Sequence, residues 1–444
     1  MEKLKRIFRP MIRRVAPGMF DIYHHLRGMT AATIYGFPSA KMRVIGVTGT
    51  NGKTTVCNML AHILEANGER IGLATTVNIW TGKRKWINET KMTTLSPFGL
   101  QGLLRQMANN KCTYAIVETT SHALDQHRAW GIFYDVAVFT NLTHDHLDYH
   151  KTLERYQAAK GMLFKNLADS LRKPGLPKTA VINISDPAGE YFDKFDADQK
   201  FYFAIDDIDT PETPDKTLWA TDIKEERDTT GFILHTPGGV ADITLHLPGK
   251  FNVHNALAAA STAHALGIPL TKIQQGLASL WQVPGRMEYV PNTKGIDIII
   301  DYAHTPDGFQ KVFEALRPIV SGKLIAVFGS SGERDKTKRP ILGQIASHFA
   351  DEIILTEEDP ASEDPMQIIK EIGAGLDPAK FQADHNLHII VDRKTAIGKA
   401  LAIAQTGDLV LCLSMGAQTV MARAEGKVSY SERATIEEAL KAMS

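Results

Sequence analysis

The run Gly-Val-Thr-Gly-Thr-Asn-Gly-Lys-Thr-Thr at positions 46–55 constrains this chain more than any other feature. It joins a short apolar run, VIGVT (44–48), to TTVCNMLAHILEANG, whose apolar residues recur with helical spacing and stop at a glycine. Gly46, Gly49 and Gly52 let the backbone turn tightly between strand and helix, so that its N–H groups can face phosphate oxygens. The helix N-terminus adds a favourable dipole, Lys53 a positive charge, and Thr54 a hydroxyl suited to Mg²⁺. The spacing departs from the strict G-x4-G-K-[ST] pattern, because Val47 stands where the first glycine would be. The segment predicts a nucleoside triphosphate site made by Gly49, Thr50, Asn51, Gly52, Lys53, Thr54 and Thr55.

The surrounding sequence predicts the fold class. Buried-strand signals recur at 114–120 and 136–142 with helical segments between them, which implies an α/β domain with a mainly parallel sheet. At 218–247 alternating segments flank a Pro-Gly-Gly turn, predicting a β-hairpin on the edge of the same domain. Beyond VPGRME (283–288) a second succession at 295–303, 323–329, 351–356, 388–392 and 408–413 predicts a second, Rossmann-like α/β domain. The acidic stretch 206–216 is expected to be an exposed loop.

Fifty Lys and Arg balance fifty Asp and Glu, which argues against a broad nucleic-acid-binding surface. Cys57, Cys112 and Cys412 are far apart and lack metal-ligand spacing, which fits a reduced, cytoplasmic compartment. No stretch approaches the roughly 20 apolar residues that span a bilayer. Residues 1–14 carry Lys3, Lys5, Arg6, Arg9, Arg13 and Arg14 against the single acid Glu2. Such a start can rest on an anionic membrane surface, or form a solvated helix packed on the next domain.

Several further blocks carry a family resemblance. TGTNGKTT, ETTSHALDQHR (118–128), FTNLTHDHLDYH (139–150), AAKGMLF (158–164), FNVHNALAA (251–259), VPGRME, DYAHTPD (301–307) and SGERDKTKRP (331–340) together resemble the Mur ligase family, which builds the peptide stem of peptidoglycan. The likeness is strongest to the branch adding the third residue. It implies a central ATP-binding domain over 43–285, a C-terminal domain over 286–444, and a short basic segment, 1–42, in place of a full UDP-binding domain.

A carboxylate and an imidazole at strand ends beside a phosphate loop make a plausible Mg²⁺ site, and Glu118 and His146 occupy such positions. The resemblance implies that both are metal ligands with Thr54, and that Lys160, fourteen residues after His146, is carbamylated and joins them. It also implies Asn255 at the adenine end of ATP, and Arg286 and Asp301 closing over the nucleotide. Thr93, Thr94, Thr120, Gln126 and Arg128 would hold the acceptor, and Arg334 the incoming amino acid's α-carboxylate.

The implied reaction is ATP-dependent ligation of a free amino acid to a UDP-MurNAc-dipeptide-like acceptor. The acceptor carboxylate attacks the γ-phosphate, and an amine then displaces phosphate from the acyl phosphate. Lys53, Lys160 and Arg286 would form the catalytic set.

The amino-acid pocket departs from the diaminopimelate-adding pattern. Glu358-Asp359-Pro360-Ala361 stands for Asp-Asn-Pro-Arg, and Ser414-Met415-Gly416-Ala417-Gln418 for Gly-Lys-Gly-His-Glu. Loss of the Arg and the Glu favours L-lysine over meso-diaminopimelate. A folylpolyglutamate-type ligase acting on a different, non-UDP carboxylate would share the phosphate loop, but the 118–128 and 139–150 blocks favour the Mur branch. A non-catalytic nucleotide-binding scaffold would be expected to lose Lys53, Glu118, His146 or Lys160, and all four are present.

Overall fold

The computed structural model describes residues 17–205, 213 and 215–443. The basic segment 1–14 lies outside them. So does most of the acidic stretch 206–216, whose described residues 215 and 216 form an exposed turn.

Two β-sheets organise the chain. The first is built from β1 (Arg43–Thr48), β2 (Ile71–Ala74), β3 (Asn78–Thr81), β4 (Lys85–Ile87), β5 (Tyr114–Glu118), β6 (Val136–Phe139), β7 (Thr179–Asn183), β8 (Gln199–Ile205), β9 (Thr217–Glu225), β10 (Thr230–Thr236) and β11 (Gly239–Leu245). Their order is β11-β10-β9-β8-β7-β6-β1-β5-β2-β3-β4. The strands from β9 through β2 run parallel, and the two ends are antiparallel, including the expected hairpin β10–β11. Because β1 lies between β5 and β6, the winding reverses there, and a crevice opens beyond the carboxyl ends of these strands.

Alternation along the strands gives the sheet two buried faces. Ile45, Val47, Ile116 and Val138 pack against Val56 and Leu60 of the helix Lys53–Ala66, with Val253 and Leu257 of Lys250–Ala265 behind. On the other face Val44, Val117 and Phe139 meet Leu100 and Leu104 of Pro97–Asn109 and Leu163 and Phe164 of Leu153–Asp169. Runs hydrophobic at successive positions, such as 114–117 ahead of the equally buried Glu118, are what a sheet covered on both sides requires.

The second sheet contains β12 (Glu288–Tyr289), β13 (Asp297–Ile300), β14 (Leu324–Phe328), β15 (Glu352–Leu355), β16 (Leu387–Ile389) and β17 (Leu409–Cys412), ordered β12-β13-β17-β14-β15-β16. All but β12 are parallel, again with one hydrophobic cluster on each face. A separate hairpin joins β18 (Val420–Arg423) to β19 (Gly426–Ser429). No helix among the described residues is long and apolar enough to cross a membrane.

The helix Leu270–Ser279 fixes the helix that carries the phosphate loop. At Gly276 it lies so close to Lys53–Ala66 that a Cβ would sit 2.3 Å from the Ile63 Cα. Because that obstacle is backbone, Gly276→Ala is expected to cost about 1–3 kcal/mol, and an unchanged chemical-denaturation midpoint would contradict this packing.

Candidate active site

The crevice at the end of β1 is closed on its far side by the second sheet, leaving a cavity of about 470 Å³. Thr50, Asn51, Gly52, Lys53, Thr54, Thr55, Thr93, Glu118, Thr120, His146 and Asn255 line it from the first sheet's side. Arg286, Asp301 and Arg334 line it from the other.

The phosphate loop obtains its shape from positive φ at Gly49 (150°) and Gly52 (81°), a region in which glycine is free of Cβ strain. Gly52 immediately precedes the helix, and its N-cap position supplies no side-chain cap. Helix N–H groups there remain available to an anion. Asn255 stands directly against this turn, since a Cβ on Gly52 would lie 2.1 Å from its Oδ1.

Two lysines converge on the same loop carbonyl. Lys53 Nζ donates to Gly49 O (3.0 Å) and Thr50 O (2.7 Å), while Lys160 Nζ donates to Gly49 O from below at 2.7 Å. Lys160 is buried and lies 4.0 Å from the Tyr156 ring centroid. Burial, then the neighbouring Lys53 charge, pushes the Lys160 ammonium well below its ordinary pKa, and burial lowers Lys53 too. Such a pair favours a neutral amine or a nearby anion.

Opposite them, Thr54 Oγ1 donates to the Glu118 carboxylate at 3.0 Å and accepts from Arg286 Nη2 at 3.3 Å. Glu118 also accepts from Thr76, through its N–H at 2.8 Å and its hydroxyl at 3.0 Å. Arg286 stacks on Tyr302 with its Cζ 4.4 Å from the ring centroid. Asp301 accepts from the Met287 and Ala303 N–H groups, and burial raises its pKa.

His146 sits in the left-handed region (φ 55°), 3.2 Å from Asp145 and edge-on to His122. Burial, helped by the Lys160 and Lys53 charges, lowers His146 to about 4 despite the pull of Asp145. A neutral imidazole is the form that can ligate a metal. Among the described residues no three His, Cys, Asp or Glu side chains form a metal cluster. Glu118, Thr54 and His146 all line the cavity and carry oxygen or neutral nitrogen donors of the kind a divalent cation takes.

Other expected residues border the cavity without lining it. Thr94 donates to Glu118 O at 2.8 Å and meets the Thr120 hydroxyl at 3.3 Å. Arg128 donates to Thr94 O (3.3 Å) and to Gln126 Oε1 (3.0 Å). Asp359 is ion-paired at 2.7 Å with Lys91, which does line the cavity, and Gln418 reaches Tyr302 OH at 3.4 Å. Glu358 is buried, with Oε1 accepting from Ser331 at 2.7 Å and Oε2 lacking a partner.

Comparison with known proteins agrees with this arrangement. Residues 47–263 match the model of the Mur ligase middle domain, and residues 285–416 that of the Mur ligase glutamate ligase domain. The chain is 41% identical over 418 residues to a UDP-N-acetylmuramyl-tripeptide synthetase of Roseiflexus sp. (strain RS-1), covering 92% of this chain and 81% of that protein. The chain belongs to the Mur ligase family.

A second relative is the UDP-N-acetylmuramoyl-L-alanyl-D-glutamate–2,6-diaminopimelate ligase of Bacillus velezensis (strain DSM 23117 / BGSC 10A6 / LMG 26770 / FZB42). It is 40% identical over 385 residues, covering 87% of this chain and 75% of that one. A solved structure of a ligase of that name superposes with a TM-score of 0.60 at 32% identity, covering 90% of this chain and 79% of that one.

This Mur ligase also uses residues that its sequence did not single out. Thr76 completes the Glu118 shell, and Lys91 crosses to Asp359. Asn51 Nδ2 donates to Asp307 Oδ2 at 2.7 Å, tying the phosphate loop to the second sheet's side. Asp145, adjacent to His146 in a block already recognised, was findable, whereas Thr76 and Lys91 carry no motif of their own.

Glu358 generates a pH prediction. Burial raises its carboxyl from 4.5 to about 7. It thus ionises less readily folded than unfolded, so its own contribution to stability is greatest below 4.5, falls as pH rises to about 7 and stays lower beyond. Glu358→Gln should raise stability by at most about 3 kcal/mol near pH ~8 and change it little near pH ~4, seen as pH-dependent melting temperatures. A pH-independent difference would show that the buried charge is not the cause.

Proposed function

We propose that this chain is an ATP-dependent ligase that joins a free amino acid to the carboxylate of a UDP-MurNAc-dipeptide-like acceptor in peptidoglycan stem-peptide synthesis. One observation carries the reading. The phosphate loop, the Thr54–Glu118 pair and the cation Arg286 from beyond the linker face one cavity at the switch point. Phosphoryl transfer depends mainly on such positioning and charge. Residues 43–285 form the ATP-binding domain in this reading, and 286–444 the domain that closes over it.

Lys53 and Arg286 would offset charge on the phosphoryl oxygens as the acceptor carboxylate attacks, and phosphate would leave when the amine adds to the acyl phosphate. Thr54, Glu118 and His146 would hold Mg²⁺, which neutralises the triphosphate. The low proton affinity of Lys160 suits addition of its neutral amine to CO₂: a C–N bond forms, a proton leaves, and the carbamate replaces a buried cation with an anion. Asn255 and Asp301 would bound the nucleotide. Thr93, Thr94, Thr120, Gln126 and Arg128 would hold the acceptor, and Arg334 the amino acid's α-carboxylate.

Phosphate release with ATP, acceptor and a panel of amino acids tests the reading, and release independent of any acceptor would sink it. In that assay Lys53→Ala should lower kcat roughly 10²–10³-fold. Lys160→Ala should lose most activity and regain part with a short-chain carboxylate; full turnover in Lys160→Ala would refute the carbamate.

The residues around Glu358, which border the cavity, suit a lysine ammonium better than a second carboxylate. Arg423 is paired with Glu357, Lys91 with Asp359, and the unpartnered Oε2 of Glu358 is an acceptor. A carboxylate placed there costs several kcal/mol unless a cation pairs with it. L-Lysine should therefore outcompete meso-diaminopimelate; a higher kcat/KM for meso-diaminopimelate would overturn this pocket assignment.

A further inference from the structure

Lys91, which lines the cavity from the first sheet's side, meets Asp359 from the second. Lys91 Nζ donates to both carboxylate oxygens of Asp359, at 2.7 and 2.8 Å. The two side chains are only 16% and 17% exposed, so solvent and salt screen the pair less than they would an open surface contact. Asp359 brings a charge where the diaminopimelate-adding pattern has Asn, and Lys91 answers it. Lys91 (φ 56°), Asp359 (φ 42°) and Ala361 (φ 55°) all hold left-handed backbone without being glycine. Such conformations persist where the surroundings over-determine them.

Each partner is braced on its own side. Thr90, next to Lys91, donates to Asn88 Oδ1 at 2.7 Å, and Asn88 Nδ2 donates to Met92 O at 3.0 Å. Thr93 accepts from Thr76, which also donates to Glu118, and Thr94 donates to Glu118 O. Asp359 Oδ1 accepts from the Ala422 N–H at 2.7 Å, and Asp359 O from the Gly332 N–H at 3.0 Å, two residues before Arg334. A polar path therefore runs from Glu118 through Thr93 and Lys91 to Asp359 and the loop carrying Arg334. It leaves the phosphate loop aside, where the two sides are joined separately by Asn51 to Asp307 and by Arg286 to Thr54.

On the ligase reading, upon which this inference rests, that path connects the acceptor loop with Thr93 and Thr94 to the segments facing the amino acid. Amide formation requires the amine nitrogen to reach the acyl carbon. A C–N bond forms as the C–O bond to phosphate breaks; phosphate leaves with the electron pair, and the nitrogen's two protons pass to phosphate and water. We propose that Lys91 is a positioning residue for this second step. Acting through Asp359, it sets the spacing between the acceptor loop and the amino-acid side. Phosphoryl transfer keeps its own ties at Asn51 and Arg286, so loss of Lys91 falls mainly on amide formation.

Two measurements on the full chain test this. Positional isotope exchange in ATP labelled at the β,γ-bridge oxygen, with acceptor and no amino acid, reports acyl-phosphate formation alone; amide formation is followed with the preferred amino acid at saturation. Lys91→Met should lower kcat for amide formation by up to about 10²-fold, far more than it slows exchange, and Lys91→Arg should regain most of the loss. Equal losses in both steps, or full turnover in Lys91→Met, would overturn the proposal. Spin labels on the exposed Glu89→Cys and Glu425→Cys give the second readout, since Cys57, Cys112 and Cys412 are buried. One narrow distance distribution is expected, and Lys91→Met should broaden it. A parent chain without acceptor-dependent exchange would defeat the ligase reading and with it the role in amide formation. The spacing itself is then decided by the distances, and an unchanged distribution in Lys91→Met would show that the pair does not set it.

Discussion

Two ammonium groups, the buried Lys160 and the half-buried Lys53, donate to one backbone carbonyl and set the character of this site. Lys53 and Lys160 both reach Gly49 O, one from the helix start and one from beneath. Each is disfavoured as a cation by burial, and Lys160 further by its neighbour. The structure tolerates them because the loop offers carbonyl oxygens, but no carbonyl matches the field of a phosphate. The loop is thus organised around an anion, and the surrounding polar groups follow from that polarity. Glu118 is occupied by Thr54 and Thr76, and its charge opposes part of the burial penalty on Lys53.

The second sheet supplies its contribution through an equally buried device. Arg393 is paired with Glu432, and its guanidinium donates to Leu413 O at 2.7 Å and Glu357 O at 3.4 Å. Those carbonyls immediately precede the two segments, 358–361 and 414–418, at which the chain departs from the diaminopimelate-adding pattern. One side chain therefore fixes the roots of both. Variation at the segments' tips, such as Ala361 and Gln418, can proceed without disturbing the strands beneath.

Legibility in the sequence followed physical causes. Fully buried parallel strands were visible as continuous apolar runs, but their ends were overextended: 136–142 yields a strand only to Phe139. From Thr140 the chain bends to brace the phosphate loop, with its hydroxyl donating to Asn51 O at 2.8 Å. β3 and β4, at the sheet's antiparallel edge, are short and include exposed or polar positions that periodicity does not register. The phosphate loop was recognisable because its backbone demands are strict. Thr76 and Lys91 were not, since nothing local distinguishes them from other polar loop residues until the fold brings Glu118 and Asp359 to them.

The hydrogen bond from Asn51 to Asp307 ties the phosphate loop to the second sheet's side, so a nucleotide that reorients Asn51 would also change that contact. A net contribution of about 0.5–1.5 kcal/mol from such a bond corresponds to roughly a two- to tenfold bias between joined and separated arrangements. Any ligand that withdraws Asn51 from Asp307 spends that bias, and any ligand that draws the two sides together reinforces it. By reciprocity, a ligand that favours the joined arrangement changes nucleotide affinity by the same factor with which nucleotide changes its own. One asparagine of the phosphate loop is thereby shared between nucleotide contact and interdomain contact.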